Sequence, residues 1–359
     1  MLYSGLIILL VITGWLGRMF WIASGRLPDG ERLAKCEQSS QWHDKEFANK
    51  EYTPQLTGDE GFLSQMWKFL FVKIENLKPS SAIPTAKHAL KDIPRDQDVC
   101  VWLGHSSLYI QTQGVRFLFD PVLTSQLPVT LFMRPFKGAD VYTPDDIPEV
   151  DYLIITHDHW DHLDYETVKA LKPKVSQVVC SLGIGSHFEY WGYDPSRIHD
   201  MDWGDSIAVR DDMVLRCLPS RHFSGRLFGR NKTLWASYLI DGSQRIFISG
   251  DGGYDGRFAQ FGAQYPDIDL AIMENGQYDA GWRHIHTMPD ELPQAIDELS
   301  PKRVLTYHNS KYALANHTWN EPLDSIYEHA AGKSWQLLTP RIGELIHLRE
   351  ESQTFTKWW

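Results

Sequence analysis

The chain has 359 residues, 43% of them hydrophobic and 23% charged, which is room for one large globular domain or two small ones. Its net charge of −11 comes without any run of lysine and arginine, which argues against nucleic-acid binding through a basic surface. The 14 tryptophans suit a membrane interface or a lipid-like ligand, and equally an aromatic-rich core.

Leu2–Leu16 carries no charge, and after Arg18 the apolar character continues through Met19–Ala23. Together these approach the ~20 residues a spanning helix needs, with Arg18 able to snorkel. Arg18, Arg26, Arg32 and Lys35 all follow the apolar core, whereas a cleaved signal peptide carries positive charge ahead of it. Residues 1–24 are therefore read as a retained transmembrane anchor, in preference to a cleaved leader or an interfacial helix. The same asymmetry puts the catalytic part on the cytoplasmic side. The four cysteines, Cys36, Cys100, Cys180 and Cys217, form no C-x-x-C and demand no disulfide framework, which favours a reducing compartment.

Residues 25–95 form an N-terminal extension. Within it Phe62–Leu77 has helical spacing and one strongly apolar face, and Pro79, Pro84 and Pro94 punctuate the connecting segment after it. From residue 96 to 350 the texture is that of a single domain, with 351–359 as a tail. Val99–Leu103, Leu108–Gln111 and Val115–Phe119 read as strands joined by tight turns at Gly104-His105-Ser106 and Gln113-Gly114. Asp151–Ile155 is a buried strand, Asp164–Leu171 a helix that stops before Pro173, and Gly183–Gly192 is turn-rich. Further strands are expected near Val178–Cys180, Ser206–Val209, Met213–Leu218, Leu234–Ile240, Arg245–Ser249, Leu270–Met273, Val304–His308 and Glu344–Leu348. Helices are expected over Pro289–Leu299 and Asp324–Ala330. Strands dominate each half and helices interrupt them, which suits two packed sheets flanked by helices.

The chemistry concentrates at Thr156-His157-Asp158-His159-Trp160-Asp161-His162, which crowds imidazoles and carboxylates onto one turn after a strand. Such donors suit Zn²⁺, Mn²⁺ or Fe²⁺. His157 and His159 alternate and can reach one ion; Asp161 and His162 point towards a second. His222, Asp251 and His308 each lie just beyond a strand end, and strand ends gather at one edge of a layered fold. Gly250 and Gly252 beside Asp251 allow close backbone approach, and a carboxylate between two cations can bridge them.

This order of motifs resembles the metallo-β-lactamase-fold hydrolases, which implies an α+β, four-layer αββα sandwich behind the N-terminal helix. By that resemblance His157, His159 and His222 bind one ion, Asp161, His162 and His308 the other, and Asp251 bridges. Trp102-Leu103-Gly104-His105, Asp120-Pro121, Gly250-Asp251-Gly252-Gly253-Tyr254 and Ala313-Leu314-Ala315-Asn316 are similar to the branch containing N-acyl-phosphatidylethanolamine-hydrolysing phospholipase D. The segment between Pro121 and Pro148 looks shorter than in the animal enzyme. The branch implies two Zn²⁺ per chain, with Mn²⁺ or Fe²⁺ as alternatives. Such a pair, ~3.5–4 Å apart, lowers the pKa of a bound water from ~15.7 towards ~7 and generates hydroxide for attack on a phosphodiester. Asp161 orients that nucleophile, and His286 donates a proton or binds the leaving group, unless it only caps the helix near Pro289. His105 orients the site from behind, while Tyr278 and Trp282 line the cleft or simply pack. A lipid or other ester substrate, a membrane and a second copy of the chain are the expected partners. A lactonase or small-phosphoester hydrolase of the same fold is the alternative. A diiron redox protein is a third, although diiron relatives carry Glu where this chain has His159.

Overall fold

The computed structural model describes residues 2–57, 67, 72–124, 133–227 and 229–359. Helix α1 covers Leu2–Ala23 and α2 Gly30–Glu37, followed by a small hairpin of β1 (Trp42–His43) and β2 (Glu46–Phe47). The first half of the sandwich contains β3 (Val99–Gly104), β4 (Ser107–Thr112), β5 (Val115–Phe119) and β6 (Val150–Ile155). Helix α3 (Tyr165–Leu171), β7 (Val175–Ser181), helix α4 (Gly185–Tyr190) and β8 (Ile198–Met201) complete it. The second half holds β9 (Ser206–Arg210), β10 (Met213–Pro219), a hairpin of β11 (Gly225–Arg226) and β12 (Gly229–Arg230), β13 (Ala236–Asp241) and β14 (Arg245–Ile248). Then come α5 (Arg257–Gln264), β15 (Leu270–Glu274), α6 (Leu292–Leu299), β16 (Arg303–Tyr307), α7 (Glu321–His329), β17 (Gln336–Leu338) and β18 (Leu345–His347).

The strands form two seven-stranded sheets, ordered β18-β3-β4-β5-β6-β7-β8 and β17-β16-β15-β14-β13-β10-β9. In each sheet one part is antiparallel and the other, β5–β8 or β14–β17, is parallel. Parallel strands are covered on both faces, which is why β15 reads as an unbroken buried run rather than an alternation. Trp102, Phe117, Phe119 and Ile154 of one sheet meet Cys217, Tyr238, Ile272 and Tyr307 of the other in the central core. Outside the first sheet, Leu118, Leu153 and Ile155 pack with Val168, Leu171 and Phe188 of α3 and α4. Outside the second, Phe247, Ala271 and Val304 pack with Phe258, Ile296 and Ile326 of α5, α6 and α7. The result is the expected four-layer αββα arrangement.

The differences from expectation are local. Gly183–Gly192 contains α4, because burial of Ile184 and Phe188 outweighs its turn-like composition. Helix α6 starts at Leu292 rather than Pro289, since Met288–Glu291 form a hydrogen-bonded turn first. Of the helix expected over Phe62–Leu77, residues 62–66 and 68–71 lie outside the described residues, and Val72–Leu77 is not helical. All four cysteines are free and buried, and burial pushes the Cys36, Cys100 and Cys180 thiols up to about 12.

The membrane-spanning role expected for residues 1–24 is not shown: among the described residues, no helix is long and apolar enough to cross a membrane. Instead the last turn of α1 is bolted to the sandwich. Trp191 Nε1 donates to Ile22 O at 2.8 Å and Arg226 Nη2 to Ala23 O at 2.7 Å, so a buried cation caps the negative end of the helix. Gly25, at φ +75°, then turns the chain away, and a Cβ there would lie 2.2 Å from His187 Nδ1. Arg226 Nη1 also donates to Asp158 O (2.8 Å) and Leu163 O (2.7 Å), and its guanidinium lies 3.9 Å from the Trp160 ring centre. Replacing Arg226 with Met strands three buried carbonyls. We expect a loss of about 3 kcal/mol in urea unfolding; an unchanged midpoint would show that the joint adds no stability.

Candidate metal centre

The motif loop leaves β6 at Thr156 and runs to Asp164, whose side chain caps α3 by accepting from Thr167 N at 2.9 Å. Its first residue is pinned to the end of the neighbouring strand: Thr156 N and Oγ1 donate to the Asp120 carboxylate at 2.8 and 2.6 Å. The same carboxylate takes His162 Nδ1 at 2.8 Å. Thr156 Oγ1, its own proton given to Asp120, accepts from His157 Nδ1 at 3.0 Å. His222 Nδ1 donates to Ile285 O at 2.7 Å. In all three rings an outer partner occupies Nδ1 and turns Nε2 inward, as metal-binding histidines require.

Those nitrogens converge in two groups. His159 Nδ1 lies 3.0 Å from His157 Nε2 and 3.2 Å from His222 Nε2. Tetrahedral ligands ~2.0–2.1 Å from one cation sit at about this spacing. In the second group His308 Nε2 is 3.3 Å and His162 Nε2 3.7 Å from Asp161 Oδ2. A single oxygen, Asp251 Oδ2, faces both groups: it is 3.1 Å from His308, 3.2 Å from His162, 3.8 Å from His157 and 3.9 Å from His222. Gly250 makes this placement possible, because at φ +60° a Cβ would lie 2.5 Å from Ala236 O. His162 Nε2 and Asp251 Oδ1 are buried and find no hydrogen-bond partner among the described residues. Orphaned buried donors and acceptors in a carboxylate–imidazole cluster fit a pair of Zn²⁺, Mn²⁺ or Fe²⁺ ions.

Charge balance supports that fit. Burial, with the neighbouring His162, His159 and His222 rings, drives His157 well below the ordinary imidazole range, and burial takes His159 to about 4. His162 goes the other way: burial opposes its charge, but Asp251, Asp161 and Asp120 hold the proton on. His308, against the same burial, is raised to about 10 by Asp251, Asp161 and Glu274. Burial alone would raise Asp161 and Asp251, yet His162 and the other surrounding imidazoles keep both well below the usual carboxylate range.

The remaining expected residues fall around this cluster. His105 Nε2 meets Asp161 Oδ2 at 2.9 Å, and His105 O accepts from His308 N at 3.0 Å, so it orients two cluster members. Trp282 and His286 line a cleft of about 320 Å³ that opens over His159, Asp161 and Asp251. Tyr278 does not line it; its ring stacks on His317 and its hydroxyl donates to Glu321 Oε1 at 3.2 Å. Two participants escaped the sequence reading as site residues. Asp120 was visible only as part of Asp120-Pro121, and Glu274 not at all. Glu274 Oε1 pairs with His286 Nδ1 and lies 3.7 Å from His308 Nδ1, while its Oε2 accepts from Gly252 N at 3.0 Å. Its signal was present, for Glu274 ends β15 as Asp251 follows β14.

A four-layer sandwich whose strand ends bring two imidazole groups around one shared carboxylate defines a metal-dependent hydrolase of the metallo-β-lactamase fold. Residues 115–309 match the family model described as a beta-lactamase superfamily domain. An uncharacterised protein of Mycobacterium tuberculosis is 31% identical over 325 residues, 87% of this chain and 86% of the relative. The N-acyl-phosphatidylethanolamine-hydrolyzing phospholipase D 1 of Caenorhabditis elegans is 28% identical over 247 residues, 63% of this chain and 68% of that protein. Among solved structures, Igni18, a metallo hydrolase of Ignicoccus hospitalis, aligns with a TM-score of 0.53 at 15% identity, over 70% of this chain and 98% of that one. CmlA, a diiron beta-hydroxylase of Streptomyces venezuelae, aligns at 0.54 and 19% identity, over 71% of this chain and 55% of its own length. These structural likenesses show the shared fold. The chain belongs to the beta-lactamase superfamily.

Because His162 and His308 hold protons in the metal-free cluster, cation binding must displace them, and apparent affinity rises with pH. Zinc titration of chelator-treated protein near pH 7, followed calorimetrically in buffers of different ionisation enthalpy, is expected to show net proton release. Zero release or net uptake would contradict this charge assignment. Asp251→Ala, which removes the shared oxygen, is expected to lower bound metal to one ion or fewer per chain by elemental analysis.

Proposed function

We propose that the chain is a two-zinc phosphodiesterase of phospholipase D type, acting on N-acyl-phosphatidylethanolamine or related lipids. The observation that carries this reading is Asp251 Oδ2 lying between two imidazole groups beneath an open cleft, in a chain similar to a phospholipase D of that specificity. Two bound cations would supply a Lewis-acidic centre able to ionise water and polarise a phosphoryl oxygen. The chain's own residues do the rest. Asp161, held by His105, presents a carboxylate oxygen at the cleft floor to accept a hydrogen bond from the attacking water. Glu274 occupies His286 Nδ1, so Nε2 is the nitrogen left to deliver a proton to the departing oxygen. Stacking of His286 beside His308, with ring centres 5.5 Å apart, keeps that imidazole next to the reacting group. Membrane attachment is assigned to α1, where Val11, Ile12, Trp15 and Trp21 are exposed, with the catalytic part on the cytoplasmic face.

A cleft of about 320 Å³ takes a head group more readily than a whole diacyl lipid, and this favours the second reading, a lactonase or small-phosphoester hydrolase. Incubating zinc-loaded protein with N-acyl-phosphatidylethanolamine in mixed micelles separates the two. The first reading expects phosphatidic acid and N-acylethanolamine, suppressed by chelator. No lipid product, with chelator-sensitive turnover of a lactone or small phosphoester, selects the second. His286→Ala is expected to lower kcat by ~10²–10⁴ with metal content intact. Loss of metal in that variant would instead make His286 a ligand.

A further inference from the structure

The segment from Asn49 to Thr57 lies outside the sandwich, yet it is pinned to the site at both ends. Asn49 grips the backbone of His222 in both directions: Nδ2 donates to His222 O at 2.7 Å, and Oδ1 accepts from His222 N at 3.1 Å. The same Oδ1 accepts from Trp235 Nε1 at 3.0 Å, fixing the amide's orientation. Midway, Arg221 donates to Thr53 Oγ1 at 3.0 Å and Tyr52 O at 3.3 Å. At the far end Thr57 N donates to Gly281 O at 2.7 Å and Thr57 Oγ1 to Ala280 O at 2.6 Å, in the turn that carries Trp282.

Between the pins, Gln55 and Leu56 line the cleft. Leu56 is 38% exposed and lines the cleft together with Phe223, Trp282, Ile285 and Leu314. The cleft lining therefore combines the imidazoles and carboxylates of the cluster with five apolar side chains, Leu56, Phe223, Trp282, Ile285 and Leu314. Its complement is a molecule with a polar, metal-seeking head and an apolar body beginning within a few bonds of it.

We propose that residues 49–57 are a specificity strap, in which Asn49 and Thr57 hold Leu56 over the cleft so that it packs on the apolar chain adjoining the reacting group. The strap deepens the reading of the site as a lipid phosphodiesterase and rests on it only for the identity of the head group. Asn49 has a second consequence as a positioning residue, since it fixes the backbone that carries His222.

The test needs no turnover. Short-, medium- and long-chain alkylphosphonates are titrated into zinc-loaded, full-length protein, and Kd is followed against chain length. Wild-type affinity should tighten with length, by up to roughly fourfold for each methylene buried against the cleft lining. Leu56→Ala should flatten that dependence, Leu56→Glu should abolish it, and Leu56→Met should restore it, with zinc content and circular dichroism equal throughout. An equal dependence in wild type, Leu56→Ala and Leu56→Glu, or none in wild type, overturns the proposal. A dependence that Leu56 controls, in protein that releases no phosphatidic acid, keeps the strap and removes the lipid phosphodiesterase reading alone.

Discussion

A carboxylate cannot stay ionised in a dry pocket unless positive charge is brought to it. Asp251 is 3% exposed and sits where both sheets end, so this requirement governs the whole edge of the sandwich. Of the four imidazoles within 4 Å, His162 and His308 bring that charge, and Asp120 and Glu274 in turn face their outer nitrogens. Without metal the cluster balances itself with protons on His162 and His308. Divalent cations would satisfy the same geometry with more charge and no proton.

The edge also holds residues in an unfavourable backbone region. His105 (φ 50°), Asp120 (φ 42°), Gln277 (φ 59°) and His308 (φ 67°) are non-glycine residues in the left-handed region, and all four touch the centre or its supports. Such conformations cost on the order of 1 kcal/mol or more each and persist only where surrounding contacts over-determine them. The bond from His308 N to His105 O ties a turn of the first sheet to a strand end of the second. Strain in the two turns is thus offset by the joint they make between the sheets.

The layered fold and the ligand-type residues were legible because both rest on local pattern. Short apolar runs marked the strands, and His157 to His162 put donors at adjacent positions of one turn. What stayed hidden depends on contacts between distant segments. Glu274 looks like any polar residue closing a strand until β14 and β15 lie side by side. Helix α4 is concealed by two glycines and forms because Ile184 and Phe188 find a sheet to cover. Tyr278 and Trp282, four residues apart, could not be ranked from sequence; a stacking partner in His317 takes one away from the cleft and leaves the other on it. Asn49 carries no sequence mark, since its partners, the His222 backbone and Trp235, are far away in the chain.

Arg226 joins the end of α1 to the loop that begins with His157. Helix and cleft therefore share one rigid mounting, and wherever the helix is held, the mouth of the cleft keeps a constant bearing relative to that support. One guanidinium thus couples two distant parts of the chain, and a change that loosens it disturbs the helix end and the histidine-bearing loop together.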